Sequence, residues 1–193
     1  FGVDVARRLA KQGRQADLMI ANNVLAHVPD INDFVKGFSI LSKPNGIATF
    51  EFPHVLNLMK NNQFDTIYHE HYSYLSFTVV CNIFDFNGLV VFDVEQIPTH
   101  GGSLRVYAQL SDSGGYKINT NVLDLLEKED QAGINSIDTY RGFQKQAEDI
   151  KTSFLSFLNQ AKNNAHSVVG YGAAAKGSTL LNFSGVRPDL LPY

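Results

Sequence analysis

Residues 68–74 concentrate side chains that can carry or accept a proton near neutral pH. The segment holds two histidines, one glutamate and three tyrosines in seven consecutive positions. On a helix, Tyr68 and His71 would share one face at three-residue spacing, whereas His69 and Glu70 would point elsewhere. The spacing therefore predicts a helical turn that presents Tyr68 and His71 together.

Two other interpretations of this segment remain open on its residues alone. The first is an aromatic-rich start of a helix whose histidines and tyrosines only pack, since buried His and Tyr usually serve the core. The second is a metal site in which His69 and His71, with Glu70 between them, ligate zinc from an extended segment with a third ligand from elsewhere. The helical zinc-protease pattern requires histidines four residues apart, and this spacing does not fit it.

Composition places the chain among soluble globular enzymes. Of its 193 residues, 44% are hydrophobic and 18% are charged, which suits one large domain or one and a half. A net charge of -3 without a basic stripe argues against a nucleic-acid partner, and no apolar run reaches membrane-spanning length. The single cysteine, Cys81, excludes an internal disulfide and a cysteine-rich zinc site, and it suits the reducing cytoplasm.

Alternating helical and strand patterns predict an α/β fold with a doubly wound parallel sheet. The predicted elements of the first part are a helix over 1–13, a strand over 16–21, a helix capped by Asp30 or Asn32, a turn at 43–46 and a strand over 46–53. Such a sheet binds ligands where its strands end at the carboxyl edge. The polar residues predicted at that edge are Asn22, Asn23, His27, Glu51 and His54.

Two consecutive strands and a linker follow. A helix that ends at Asn87-Gly88 precedes strands over 89–97 and 104–110, which predict a final antiparallel strand. A composition shift at 111–115 predicts a linker. Beyond it lie a helical segment with Val122, Leu125 and Leu126 and a longer helix over about 140–163, whose apolar stripe is Phe143, Ile150, Phe154, Phe157 and Leu158.

These patterns place one domain at 1–110 and a second at 111–193. The sequence begins without methionine inside a predicted helix, and it ends without a terminating pattern. We therefore expect both domains to be truncated parts of a longer protein.

A glycine loop in the second domain fits the short form G-x-G-x-x-A at Gly170, Gly172 and Ala175. It lies between a predicted strand and a helix, where helix amides can face an anion. Lys176 suits a diphosphate, whereas a nicotinamide cofactor is unsupported because no acidic residue ends a clear second strand. Tight packing of strand against helix, without a ligand, is the alternative.

The segment His100-Gly101-Gly102-Ser103 could form a second anion-contacting loop. Its two glycines would let backbone amides approach a ligand closely. A connecting turn with an incidental histidine is at least an equal alternative.

Five separated motifs resemble the S-adenosylmethionine-dependent sugar C-methyltransferases, which methylate the carbon next to the ketone of nucleotide-linked 4-keto-deoxysugars. They are residues 21–30, 51–54, 64–76, 99–105 and 170–183, in the expected order along almost the whole chain. The resemblance implies a class I methyltransferase domain with a Rossmann-like sheet, followed by a second Rossmann-like α/β domain that helps to hold the nucleotide-sugar.

The same resemblance implies S-adenosyl-L-methionine as the cofactor. It places a zinc-binding module, the glycine-rich first cofactor loop and the acidic residue for the cofactor ribose before Phe1, so we expect this fragment alone to bind the cofactor poorly and to be inactive. Asn22 and Asn23 occupy the place where class I methyltransferases meet the methionine end of the cofactor. The substrate-binding residues expected from the two glycine loops are His100, Ser103, Gly172 and Lys176.

The resemblance also assigns proton-transfer roles. A carbon next to a ketone becomes a nucleophile when a base removes its proton and the enolate oxygen is stabilised. His71 matches the family's proposed general base, with Tyr68 and Glu70 nearby to orient it or to stabilise charge. His27 matches a histidine near the family's substrate pocket.

Two functions from other classes stay open beside the methyltransferase. One is a nicotinamide-dependent oxidoreductase built on residues 170–175, and the other is a non-catalytic domain that keeps the fold for partner binding. The expected partner of the enzyme is a nucleotide-linked sugar, with neither nucleic acid nor a membrane, and no metal is expected within these residues.

Overall fold

A computed structural model describes residues 1–113, 115–172 and 174–192. They fall into two compact units. The first comprises Phe1–Leu58 and His71–Asn135, and the second comprises Met59–Glu70 and Ser136–Tyr193. Across the described ranges, none of the helices is both long and apolar enough to cross a membrane.

The chain alternates helices and strands up to residue 110 and is helical beyond it. The strands are β1 (Ala16–Asn22), β2 (Ser42–Pro53), β3 (Leu89–Ile97) and β4 (Ser103–Leu110). The α-helices of the described residues are α1 (Val3–Lys11), α2 (Ile31–Leu41), α3 (Val55–Lys60), α4 (Phe77–Phe86), α5 (Thr120–Gln131), α6 (Ile137–Arg141), α7 (Phe143–Asn163) and α8 (Ala175–Ser184). Short 3-10 helices lie at Leu25–His27, Phe64–Thr66 and Thr99–Gly101.

The first unit contains a mixed sheet in the order β1-β2-β4-β3. β1 and β2 are parallel, while β4 is antiparallel to both β2 and β3. The α/β fold, the parallel pair and the final antiparallel strand are therefore confirmed. The insertion of β4 between β2 and β3 was not predicted, because strand order depends on contacts distant in sequence.

A line of aromatic rings fills the core beside β2. The rings of Phe34, Phe38, Phe50 and Phe84 follow one another with centroid separations of 5.1, 4.6 and 4.7 Å. Burial of each such side chain stabilises the fold by about 1.5–3 kcal/mol. This packing of α2, β2 and α4 fixes the end of β2 that carries polar residues.

Polar side chains cap two helices of the first unit, and the cap of α2 was predicted from the sequence. The Asp30 carboxylate accepts a hydrogen bond from the Asp33 N–H at 2.9 Å, so Asp30 rather than Asn32 caps α2. Ser76 caps α4 in the same way by accepting from the Val79 N–H at 3.1 Å. Such caps each contribute about 1 kcal/mol.

The predicted turn at 43–46 is wrong as a break between elements, because these residues belong to β2. The pairing of β1 with β2 passes from Ala16 opposite Ser42 to Leu18 opposite Ile47, so the extra residues bulge out of the ladder. The turn-forming residues 43–46 thus form an irregularity within one long strand.

The first compact unit continues beyond the linker that was predicted at 111–115. Tyr116 and Gln109 exchange two hydrogen bonds of 2.7 and 2.9 Å, and the Tyr116 ring stacks on Phe92 at 4.6 Å. Val122 and Leu125 of α5 are buried in the same core as the sheet. The unit therefore ends at Asn135, whereas the domain boundary at 110 stays a prediction, and Gly114 of the linker lies outside the described residues.

The second unit is built from helices and the short segment 59–70. The long helix is confirmed as α7, but Phe157 is 57% exposed, so its assignment to the core stripe is wrong. Phe183 of α8 packs on Phe64 at 5.0 Å, with the Lys151 ammonium 5.4 Å from its ring centroid.

The glycine loop of the second unit is only partly as predicted. The helix after it is confirmed as α8, but none of the described residues 167–172 lies in a strand. An isolated strand leaves its backbone groups unpaired, and within the described part of this unit Val169 has no strand beside it. Ala173 lies outside the described residues, and the Rossmann-like form of this domain stays a prediction.

Candidate functional site

The segment that carries the candidate base is not helical. Within 67–74 the backbone forms bends and turns, and α4 begins only at Phe77. The N–H groups of Tyr72 and Ser73 both donate to the carbonyl of Ala26, at 2.8 and 3.3 Å. The predicted helical face shared by Tyr68 and His71 is therefore wrong, because this backbone bonds to a distant part of the chain instead of to itself.

That docking brings two candidate histidines together in the first unit. The rings of His27 and His71 lie edge to face with their centroids 4.9 Å apart. The Tyr74 ring also lies edge to face with His71, at a centroid separation of 5.8 Å. Both imidazoles are half-buried, so they are in contact with solvent and with the protein. Such a pair can hand a proton between a ring nitrogen and a bound molecule.

The end of β1 positions His27. Asn23 follows the strand in the left-handed conformation, with φ of 55°, and its N–H donates to the Glu51 carbonyl at 2.7 Å. The chain then turns through the 3-10 helix Leu25–His27. Asn22 ends the strand with its side chain exposed, so both asparagines lie at the carboxyl edge where sequence patterns placed them.

Tyr68 and Glu70 belong to the second unit, since the division falls between Glu70 and His71. Burial raises the pKa of the Tyr68 phenol, and the nearby carboxylates of Glu70 and Asp65 raise the pKa further. Tyr68 thus keeps its proton at neutral pH and can donate a hydrogen bond. His69 is exposed.

Glu51 lies at the same sheet edge and is ion-paired. Glu51 is 5% exposed. Its carboxylate accepts hydrogen bonds from the Arg105 guanidinium and from the Thr99 hydroxyl, each at 3.1 Å. A hydrogen bond to Glu51, and to a smaller extent one to Tyr107, raises the pKa of Arg105. The Arg105 guanidinium also lies 3.7 Å from the Glu95 carboxylate. This network fixes the 3-10 segment after β3.

The His-Gly-Gly-Ser loop is shaped by unusual backbone angles. His100 has a φ of 52° and Gly102 a φ of 114°, and a side chain at Gly102 would lie 2.6 Å from the Asn57 amide. The buried Ser103 hydroxyl donates to the Thr99 carbonyl at 2.9 Å, while His100 is exposed. Ser103 therefore closes the loop, and His100 is its accessible polar side chain.

A cavity of about 510 Å³ lies beside the other glycine loop, within the second unit. Gly172, Ser178 and Arg187 are among the residues that line it. Lys176 is half-buried on the first turn of α8, whose N-terminus has no side-chain cap in the described residues. Helix amides and a guanidinium favour an anion in such a cavity.

The sequence patterns missed the most buried charged residue. Glu129 is 0% exposed, and its carboxylate accepts from His54 Nε2 at 2.6 Å, from the N–H groups of Phe77 and Thr78 at 2.7 Å each, and from the Thr78 hydroxyl at 2.6 Å. A signal was present, because Glu129 lies four residues after Leu125 on the apolar face of α5.

Burial by itself would raise the pKa of Glu129. The hydrogen bonds from His54, Thr78 and Phe77 outweigh burial and lower the pKa below its ordinary value of 4.5. The carboxylate is therefore ionised at neutral pH. Within the described ranges, no group of three or more His, Cys, Asp or Glu side chains could hold a metal ion.

Comparisons with known proteins agree along the whole chain. The model of a methyltransferase domain matches residues 2–94, and that of the C-methyltransferase C-terminal domain matches residues 98–193. The C-methyltransferase NovU of Streptomyces niveus is 36% identical over 186 residues, which are 96% of this chain. The chain belongs to the C-methyltransferase family. The chain spans 44% of the length of NovU.

Solved structures are more distant from this chain. M1.HpyAVI has 15% sequence identity and a TM-score of 0.37, covering 57% of this chain and 51% of its own. The magnesium protoporphyrin IX methyltransferase ChlM of Synechocystis PCC 6803, with bound SAH, has 18% identity and a TM-score of 0.39, covering 52% of this chain and 47% of its own.

Proposed function

We propose that the protein containing this chain transfers a methyl group from S-adenosylmethionine to the carbon next to the ketone of a nucleotide-linked 4-keto-deoxysugar. The observation that carries the proposal is the His27–His71 pair at 4.9 Å beside the carboxyl end of β1, in a chain that is 36% identical to a C-methyltransferase. Carbon methylation needs a base, and this pair supplies two imidazoles in one place.

The polar groups at the end of β1 fit the methionine end of the cofactor. Asn22 is exposed there, and the backbone of Asn23 is in the left-handed conformation directly after the strand. Their uncharged amides can donate to a carboxylate and accept from an ammonium group. S-adenosylmethionine, when bound, supplies the electrophilic methyl group, and the residues of this chain supply position and proton transfer.

His71 is the proposed base. One nitrogen of its imidazole takes the proton from the carbon next to the ketone, and the electron pair of the broken C–H bond moves into the enolate. His27, with its ring edge to face against His71, limits the rotation of that imidazole and is the second candidate for holding the proton.

Tyr68 and Glu70 are proposed to assist this step. Because the Tyr68 pKa is raised, its phenol remains a donor rather than a base, which suits stabilisation of an enolate oxygen. Glu70 is exposed and contributes charge near Tyr68.

The diphosphate of the nucleotide-sugar is proposed to bind at the glycine loop of the second unit, at Gly172 and Lys176. The cavity there is lined by Arg187 and lies at a helix N-terminus, both of which favour phosphate. His100 is proposed as a further polar contact to the substrate. The oxidoreductase alternative loses its strand-loop-helix pattern, because the described residues 167–172 form no strand.

The test is transfer of a labelled methyl group by the full-length protein to a nucleotide-linked 4-keto-deoxysugar. In heavy water and without methyl donor, the acceptor should exchange the proton next to its ketone. His71→Ala should reduce both rates by about 100-fold or more, because general-base catalysis contributes on that scale.

His69→Ala is the matched control, since it removes an imidazole two residues away whose side chain is exposed. It should leave both rates within about two-fold of those of the unsubstituted protein, because substitutions of exposed residues outside the site usually have small effects. If the His71 variant keeps its exchange rate, His71 is not the base. If the full-length protein neither transfers methyl groups nor exchanges the proton, the proposed activity fails.

A further inference from the structure

Glu129 joins three parts of the first unit at one carboxylate. Its partners are His54 at the end of β2, and Phe77 and Thr78 at the beginning of α4, through four hydrogen bonds of 2.6 to 2.7 Å. Both His54 and Glu129 are sealed from solvent, at 1% and 0% exposed. Charge-assisted hydrogen bonds of this length, in a dry surrounding, hold their partners in one geometry.

Those partners border the segment 71–76, which carries His71. His54 pairs with Leu75 as an isolated parallel bridge, and the next N–H, that of Val55, donates to the Leu75 carbonyl at 3.0 Å. Phe77 follows the segment directly. Glu129 therefore holds the two structures against which the carboxyl end of this segment is fixed.

The other end of the segment is attached through its backbone. Tyr72 and Ser73 donate to the single carbonyl of Ala26, next to His27. The Tyr72 side chain is exposed and adds no buried apolar anchor there. The attachment at Leu75 and Phe77 and the two bonds to Ala26 therefore both help to place the segment that carries the His71 ring.

Capping of α4 accounts for only part of the bonding of Glu129, which accepts from the first two N–H groups of this helix. Ser76 already caps this helix through the Val79 N–H, which is the usual local solution. The His54 bond lies outside the helix altogether, and His54 Nδ1 has no hydrogen-bond partner among the described residues, which suits the tautomer with its proton on Nε2. The oxygens of Glu129 therefore accept hydrogen bonds both from the end of β2 and from α4, and they connect the two elements.

We propose that Glu129 is a positioning residue for the reaction: through His54, Phe77 and Thr78 it fixes the segment 71–76 so that His71 stays against His27. This inference rests on the proposed function of His71. Glu129 does not touch the reacting atoms.

The test uses Glu129→Gln in the full-length protein. The glutamine keeps the shape but replaces an acceptor by an NH2 group, which faces an N–H of His54 or of Thr78. We expect the rate of proton exchange next to the ketone, and kcat for methyl transfer, to fall about 10- to 100-fold, because small displacements of a catalytic group cost on that scale. KM for the methyl donor should change less than about three-fold if binding is unaffected.

Two controls separate positioning from loss of stability. Glu127→Gln makes the same chemical change on the exposed face of α5, next to Gln131, and should leave both rates unchanged. Val91→Ala opens a small cavity in the core of β3 and should lower stability without a fall in kcat at a temperature where the variant is folded. A fall in kcat for Val91→Ala equal to that of Glu129→Gln would overturn the proposal.

A second readout does not depend on the reaction. Amide hydrogen exchange of Tyr72 and Ser73 should be at least about ten-fold faster in Glu129→Gln than in Glu127→Gln, since these N–H groups bond to Ala26 only while the segment is held. Unchanged exchange would overturn the proposal even in a protein that turned out to have another activity. Faster exchange in a protein without methyl transfer would leave Glu129 as the anchor of the segment and would remove the proposed function alone.

Thr78→Val provides a milder variant if Glu129→Gln does not fold. It removes one of the four hydrogen bonds, that of the hydroxyl at 2.6 Å, and keeps the carboxylate and the helix N–H groups. We expect a fall of about three- to ten-fold in the proton-exchange rate, in proportion to one hydrogen bond to a charged group. Rates equal to those of the unsubstituted protein would contradict the role of Glu129.

Discussion

Two glutamates of the first unit, Glu51 and Glu129, are both buried but are stabilised in different ways. Glu51, 5% exposed, faces a guanidinium that is itself 37% exposed and still partly hydrated. Glu129 is sealed and faces no permanent cation among its hydrogen-bond partners, which are backbone N–H groups, a hydroxyl and an imidazole. If its partner is lost, a partly hydrated charge can be solvated by water. A fully buried charge has no water near it and is stabilised only by its hydrogen-bond donors.

The largest expected difference is in stability. Glu129→Ala leaves the His54 Nε2–H and two helix N–H groups buried without an acceptor, so we expect a loss of about 3–5 kcal/mol in the free energy of unfolding. Glu51→Ala leaves Arg105 able to reach water, and we expect a loss of about 1–2 kcal/mol. Urea unfolding of both variants measures the two values. Equal losses would remove the distinction between the two carboxylates.

Acid should affect the Glu129 network next. Because the folded pKa of Glu129 lies below its ordinary value of 4.5, the unfolded chain binds its proton first as the pH falls. The contribution of Glu129 to stability is therefore complete above pH 4.5 and is lost as the pH falls through the lowered folded pKa. The stability difference between the unsubstituted protein and Glu129→Gln should shrink as the pH falls below about 4.5. A difference that stays constant as the pH falls would show that folding does not lower the pKa of Glu129.

The smallest expected effect is on Cys81, which lies in the field of Glu129. Burial first, and then the negative charge of Glu129, raises the pKa of the Cys81 thiol to about 12. At about pH 8 the thiol should react with a thiol reagent at least about 100-fold more slowly in the folded protein than in urea. Glu129→Gln should speed this reaction slightly, while Glu51→Gln should not. Fast labelling of the folded protein would contradict the buried, protonated thiol.

Sequence patterns were most successful where a local signal decided the structure. The cap of α2 at Asp30, the strand β1 and the helix α4 follow from capping residues and apolar spacing, which act within a few residues. The asparagines at the end of β1 lie where the alternation of strands and helices placed them. Their roles in cofactor binding remain predictions.

The same patterns were wrong where distant contacts compete with local ones. Residues 68–74 have the spacing of a helix, yet Tyr72 and Ser73 bond to Ala26, more than forty residues earlier. Val169 lies in an apolar run that suits a strand, but strand formation needs a partner, and none lies beside it within the described residues.

The sequence by itself determined the types of side chain that could transfer a proton, the elements that carry them and the resemblance to the C-methyltransferases. Only the tertiary structure decided that His71 meets His27, that β4 lies between β2 and β3, and that a glutamate on the apolar face of α5 receives four hydrogen bonds. The physical reason is that spacing along a chain sets local backbone geometry, whereas the partner of a buried polar group is set by whichever distant segment folds against it.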